Sequence, residues 1–594
     1  MQSYMFNNPQ CPKTGPSRLQ YILRVPRSPT IVHAKPWTSC HNKLSVSCTA
    51  RTSWTTDDHL NTIGPSSGDY VLPSVWGDYF ATYTPSDQEP KEWMEKRIIE
   101  LKEEVKTMLD STTNISELVN IVDTIQRLGI SYHFVNEIDD ALSQLHDIKF
   151  DNEDLQNVSL RFRLLRQHGF NASSDVFCKF IDSDGNFHED LSKDAKGLLS
   201  LYNAGYLAFP GETILDEAIS FARGHLQSMV NNLDSPLKRE VLRALKTPLH
   251  RMVPRIEAMF FIEEYTEKET RNDTLLKLAK MDYNLVQRLH LEELKELTLW
   301  WKEQGMSESL TYTRDRVVEN YFWALSEYFE PHYSRARIML TKYYLFLLVL
   351  DDTYDVYGNY DGCRLLTDAI KRWDEKEIDC LPVCLRSFYQ KFINTVNGFQ
   401  DELKPSEKYR ISYLIQETQR LADSYMQELE WHAKRQVPTF QERKKPAIDG
   451  NAGSIVVCGP LLGMGEEVTE EALQWLLSLP DVVMGSMEIC RYTDDAVNYE
   501  REKAVGQGPT TIFSYMVEHN LRKDEAAVEF EHLTNQSWKK MNPALLRPTK
   551  VPRELLDRML NYARMCTPEY LIGFTYSSKF KEIIGLLVLK PFSV

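Results

Sequence analysis

Residues Tyr343–Asp355 read YYLFLLVLDDTYD. The opening run, Tyr343–Leu350, is apolar on every face, so as a helix it is buried on all sides. It is far shorter than the roughly 18 apolar residues that a membrane span needs, and no longer apolar run occurs elsewhere. The run leads directly into Asp351, Asp352 and Asp355. On a helix Asp351 and Asp355 lie one turn apart on one face, with Asp352 about 100° away. Like charges at that spacing destabilise a helix by about 0.2–0.5 kcal/mol in water, and by more at the end of a buried segment. A compensating cation is therefore expected. Carboxylate oxygens are the ligands that Mg²⁺ prefers, usually together with substrate phosphates. With 85 acidic residues in 594, one such cluster arises readily by chance, so the motif alone is weak.

A second cluster further along changes that. Val482–Cys490 is again largely apolar and leads into Arg491-Tyr492-Thr493-Asp494-Asp495. Asp494, Asn498 and Glu502 recur at four-residue spacing, which aligns three oxygen donors along one helical stripe. Two carboxylates and an amide oxygen suit Mg²⁺ or Ca²⁺ and are a poor zinc set. Taken singly, each cluster reads as a solvated polar face. Together, two acidic clusters that each end a buried apolar helix fit two walls of one metal-lined cavity. Upstream, Arg314-Asp315-Arg316 precedes the aromatic stretch Tyr321-Phe322-Trp323. Guanidinium groups hold phosphate through paired donors. Metal ligands and arginines together point to a diphosphate.

The surrounding periodicity is helical. Apolar residues recur at three- and four-residue spacing over Lys91–Leu109, Ile115–Ile130, Ile214–Asn231, Leu276–Gln304, Leu340–Leu350 and Glu471–Leu479. Alternating strand patterns are scarce, and no 34–45-residue unit repeats, which argues against a parallel sheet and against a solenoid. The fold class expected is all-α, with two helical domains and a junction near residues 270–285, where the polar Glu264–Asp273 segment separates two helical blocks.

Charge is unevenly placed. The net charge is −16, yet no acid precedes Asp57, while Lys13, Arg18, Arg24, Arg27, Lys35, Lys43 and Arg51 precede it. An acid-free, Ser/Thr-rich basic start has the composition of an organellar transit peptide, here of plastid rather than mitochondrial type, with cytoplasm the alternative address. The acidic body excludes nucleic acid as a main partner. The ten cysteines are scattered, without a second pair or His partners at metal-ligand spacing.

Beyond these motifs, the chain from about Asp69 to Val594 resembles plant terpene synthases, especially the angiosperm group that contains most sesquiterpene synthases. The resemblance rests on LPSVWGDYF (72–80), LRFRLLRQHGF (160–170), LLSLYN (198–203), RDRVVENYFWA (314–324), YFEPHYS (328–334) and DDTYD (351–355). It implies the βα terpene synthase architecture: a leader over 1–60, an N-terminal helical domain over 69–280 and a C-terminal class I metal-binding catalytic domain over 281–594. It implies Asp351, Asp352 and Asp355 as one metal motif, with the first and last as the direct ligands, and Asp494, Asn498 and Glu502 as the second. Arg314, Arg316 and Arg491 would hold the diphosphate, and Trp323 would form the cavity floor. Three Mg²⁺ ions, with Mn²⁺ as a substitute, a prenyl diphosphate substrate and a monomeric enzyme are implied as well.

Some positions depart from the family pattern. Asn498 stands where Ser or Thr is usual. Lys503-Ala504-Val505 replaces a basic pair, and Ile572 and Phe574 replace Asp and Tyr. No DxDD motif is present, which excludes protonation-initiated cyclisation. A chain-elongating transferase would show two DDxxD motifs, whereas the second cluster reads Asp494-Asp495-Ala496-Val497-Asn498. A catalytically degenerate helical scaffold is the non-enzymatic alternative. The plastid-type leader favours geranylgeranyl diphosphate and a cyclic diterpene, ahead of farnesyl and geranylfarnesyl diphosphate.

Overall fold

The computed structural model describes residues 74–84, 90–150, 154–357, 359–504, 510–568, 570–571 and 577–594. The basic leader, Val505 and the Ile572–Thr575 string lie outside the described residues. Among the described residues there is no strand, only one antiparallel bridge between Ile181 and Phe187.

The helices form where the apolar spacing places them. Lys91–Ser111 buries Met94, Ile98, Leu101, Val105 and Leu109, a stripe at four- and three-residue steps. Asn114 and Asp154 cap the helices Ile115–Arg127 and Leu155–Gln167 by accepting from Glu117 N and Asn157 N. The chain turns after Thr266, and Asn272 then caps the long helix Asp273–Gln304, which Gly305 ends at φ 55°. The 280/281 division falls inside this helix, and the chain break nearest to it is the Glu267–Asn272 turn.

The long helix leads into the C-terminal half. Arg337, fully buried on Ser334–Asp352, holds Glu293 of the long helix through two bonds of 2.9 and 2.7 Å. Tyr321 adds a third bond to the same carboxylate, at 2.6 Å. The Ser334–Asp352 helix, apolar all round over Tyr343–Leu350, packs against Val317–Glu327, which in turn packs against Arg553–Met565. Helix Asp481–Ala504 lies along Lys523–Ala544 and Arg553–Met565. Gly485 permits the first approach, because a Cβ there would collide with the Met541 side chain.

The C-terminal helices are also tied to the N-terminal ones. Arg547 N donates to Gly169 O at 2.8 Å, and its Nε to His168 O at 2.8 Å. Arg553 reaches Gln167 O at 2.7 Å and Arg564 reaches His250 O at 2.9 Å. No helix among the described residues is long and apolar enough to cross a membrane.

Candidate functional site

The first acidic wall begins where Ser334–Asp352 gives way to a π-helical turn, Thr353–Tyr357. Thr353 favours this widening: its hydroxyl bonds Val349 O at 2.6 Å and Tyr312 Oη at 2.8 Å. Single wide turns of this kind recur at functional sites. Asp352 is buried, and both its oxygens are taken by Arg314, at 2.9 Å from Nε and 2.7 Å from Nη2. Asp351 instead receives the Tyr425 hydroxyl. Desolvation, then the charge of Asp352, pushes Asp351 up to about 7. Desolvation and the charges of Asp351, Glu428 and Glu502 hold Asp355 well above the usual carboxylate range.

The second wall lies on Asp481–Ala504. Arg491 bonds Asp494 Oδ2 at 2.6 Å and also pairs with Asp495, one turn along the same helix. Asp495 Oδ2 accepts from Ile512 N at 3.1 Å. Asn498 donates through Nδ2 to Asp494 Oδ1 at 2.7 Å. Glu502 is buried, and its Oε2 has no hydrogen-bond partner. Desolvation, then the charges of Asp494 and Asp495, pushes Glu502 up to about 8. Burial acts to lower Arg491, but the charges of Asp495, Asp494 and Glu502 hold it well above its usual range.

The walls face one another. Asp351 feels the charge of Asp494, and Asp355 that of Glu502. Beside them Arg314 and Arg316 are buried at the N-terminal end of Val317–Glu327, and Arg316 Nη1 bonds Asp315 O at 3.0 Å. Burial lowers the Arg316 pKa. Trp323 lies about two turns further along that same helix, its ring 5.8 Å from that of Tyr562 in an edge-on arrangement.

Sequence reasoning missed Tyr425 and Glu428, which belong to a third helix, Tyr409–Ala433, with Arg443 holding Glu428 at 2.8 Å. No local signal marks them, since that helix is an ordinary amphipathic one. It also passed over Asp495, whose partners appear only in the fold.

The donor set fits a divalent cation. Facing carboxylates raise one another's pKa, which a positive ion between them relieves, and the free oxygen of Glu502 is a ligand without a bond. Among the described residues no three His, Cys, Asp or Glu side chains converge closely enough to enclose a metal by themselves. Mg²⁺ does not require that, because it keeps waters and binds through one or two carboxylates plus substrate phosphates.

Comparison with known proteins agrees with this arrangement. Residues 75–245 match the profile "Terpene synthase, N-terminal domain" and residues 302–540 match "Terpene synthase family, metal binding domain". The alpha-humulene synthase of Zingiber zerumbet is 42% identical over 525 residues, covering 88% of this chain and 96% of the relative. A sesquiterpene synthase of Cananga odorata is 40% identical over 535 residues, covering 89% and 95%. Among solved structures, isoprene synthase from grey poplar leaves (Populus x canescens), in complex with three Mg²⁺ ions and dimethylallyl-S-thiolodiphosphate, superposes with a TM-score of 0.79 at 30% identity. That superposition covers 89% of this chain and 99% of the synthase.

The chain belongs to the plant terpene synthase family. It is a class I terpene synthase, an all-α lyase whose catalytic half binds divalent metal.

Proposed function

We propose that this synthase ionises farnesyl diphosphate and cyclises the resulting cation to a sesquiterpene. One observation carries the choice: relatives matching nearly the whole chain at 40–43% identity are named for fifteen-carbon products, among them alpha-humulene, beta-eudesmol and germacrene D. This displaces the geranylgeranyl diphosphate expected from the leader.

In this reading Asp351, Asp355, Asp494 and Glu502 hold Mg²⁺, three ions by analogy with the isoprene synthase complex, and Mn²⁺ is a testable substitute. Bound Mg²⁺ supplies charge neutralisation for the departing diphosphate. Asn498 holds Asp494 in place through its amide nitrogen. Asp352 is spent on fixing Arg314, which with Arg316 and Arg491 binds the diphosphate. Preorganised cationic donors of this kind stabilise charge as it develops on a leaving group. The Trp323 face attracts the carbocation, and the apolar helices exclude water from it.

The protein acts as a monomer of two domains, joined at the Glu267–Asn272 turn. Residues 1–60 carry a plastid address, which imaging of a fluorescent fusion tests. The functional experiment gives the leader-trimmed protein and Mg²⁺ the C10, C15, C20 and C25 diphosphates separately, with products read by gas chromatography–mass spectrometry. A cyclic C15 product is expected, and turnover of the C20 substrate alone overturns the assignment.

A further inference from the structure

Where the two halves meet, they leave a cleft of about 710 Å³. Helix Arg553–Met565 lines one side of it, and residues of the N-terminal half between Gln126 and Glu257 line the other. None of the acids and arginines assigned above to metal and diphosphate takes part in it. Its volume is that of a site for a small organic molecule.

Most charges in the cleft are already paired. Arg127 holds Glu257 at 2.8 Å and Arg553 holds Asp557 at 2.8 Å, while Arg547 pairs with Asp139 and Arg163 with Asp123. Burial lowers His168 to about 3, holds His250 well below its usual range and lowers His332, so all three are neutral at neutral pH. Arg558 and Arg564 differ. Arg558 is only 4% exposed, yet its one hydrogen bond among the described residues runs from Nε to a neutral group, Glu554 O, at 3.1 Å. Its Nη1 has no hydrogen-bond partner, and Glu330 Oε2, 3.9 Å away, has none either. Arg564 likewise bonds neutral acceptors, His250 O at 2.9 Å and Asn561 Oδ1 at 2.7 Å. Burial outweighs the pull of Asp557 and, with the charges of Arg553 and Arg558, lowers Arg564 to about 10. Glu554 is exposed and screened by water. Two arginines against Glu330 thus leave one positive charge in the cleft without a counterion, a costly state for a buried group.

Beside Arg558 the lining turns aromatic. Arg558 lies over the Tyr333 ring, 5.1 Å from its centroid. The His332 ring is 4.1 Å from that of Tyr333, and Tyr132 is 6.4 Å from His332 and 6.0 Å from Phe329. A guanidinium fork matches the two oxygens of a carboxylate, and aromatic walls favour a planar ring packed against them. A single excess charge selects a monoanion, and an inorganic ion would leave most of the volume unfilled. We infer that this cleft is a second small-molecule site, which takes an aromatic monocarboxylate with its carboxylate on Arg558 and Arg564 and its ring against Tyr132, Phe329 and Tyr333. The site stands apart from the metal-lined one, so the inference does not rest on the farnesyl diphosphate reading.

Isothermal titration calorimetry of the full-length protein with naphthoate tests it, in EDTA so that no metal ties the ligand to the acidic walls. One saturable binding event is expected. The matching amide keeps the ring without the charge, and inorganic phosphate keeps a charge without the ring. Each should bind at least about tenfold more weakly, the scale of one charge-assisted hydrogen bond. R558Q and R564Q should weaken naphthoate binding by a similar factor, and either variant suffices if the unfolding midpoint shows that the other fails to fold. Inorganic diphosphate with Mg²⁺, added in place of EDTA to fill the metal-lined site, should leave naphthoate affinity unchanged. The inference is overturned by absence of saturable binding, by wild-type affinity in a folded R558Q or R564Q, by equal affinity for the amide or for phosphate, or by displacement with diphosphate and Mg²⁺.

Discussion

The two acidic walls each set an Asp-Asp doublet beside an arginine but use it differently. In the first, Arg314 takes both oxygens of the second acid, Asp352, and leaves Asp351 to the opposite wall, whereas in the second Arg491 bonds the first acid, Asp494, and also lies against Asp495. In the first wall the arginine comes from another segment, Arg314, so the pair exists only once the catalytic half has folded. In the second it comes from one turn earlier on the same helix, Arg491, which also touches the facing acid, Asp494. The first wall is thus a tertiary construction and the second largely a local one. Removing the arginine should therefore cost more folding stability in the first wall than in the second.

The largest expected effect tests the facing acids. Asp351→Ala should lower diphosphate release from farnesyl diphosphate by about 10²–10³-fold, the scale of removing one preorganised stabiliser of a leaving group. Its unfolding midpoint should not fall, since a like-charge contact is removed. Next is the clasp itself. Arg314→Ala strands a buried carboxylate and should cost about 3 kcal/mol in denaturant unfolding, with Asp352→Asn in the same background restoring part of it. An equal loss from Arg491→Ala would break the contrast between the walls.

How much of this was legible follows from where each partner sits. The apolar stripes gave the helices within a few residues, as in Lys91–Leu109 against Lys91–Ser111, because burial of one face is a local pattern. The two acidic clusters could be read for the same reason. The π turn could not, because it depends on Thr353 meeting Tyr312 from a distant segment. Glu428 and Tyr425 looked like ordinary helix residues. Glu327 carries no local signal in the sequence, and only the packing of Tyr344 and Asn561 around it shows it to be buried.

Smaller effects sharpen the comparison. Asn498→Ser keeps an oxygen but releases the 2.7 Å tether on Asp494, and should change the Mg²⁺ concentration for half-maximal activity by roughly tenfold, the low end for a residue that orients a ligand. A last effect, spread over pH rather than seen in one step, concerns the buried acid without an arginine. Native Glu327 keeps its proton to about pH 8, whereas an unfolded glutamate loses it near ~4.3. Between those values the native state binds more protons, so this group makes stability fall as pH rises, by at most about 1.4 kcal/mol per pH unit. Unfolding midpoints of wild type and E327Q, measured from about pH 5 to about pH 8, should converge at the acidic end, with E327Q relatively more stable at the basic end.

The joint between the two halves has a consequence for exchange of parts. Arg547, Arg553 and Arg564 all reach across to carbonyl oxygens of Gln167, His168, Gly169 and His250, and of the three Arg547 alone adds a side-chain partner across the joint, Asp139. A main-chain acceptor is present whatever residue occupies the position. These docking bonds therefore read the path of the opposing backbone and not its composition. The catalytic half should transplant onto the N-terminal half of a relative with its anchorage intact, provided that the recipient keeps the same loop geometry.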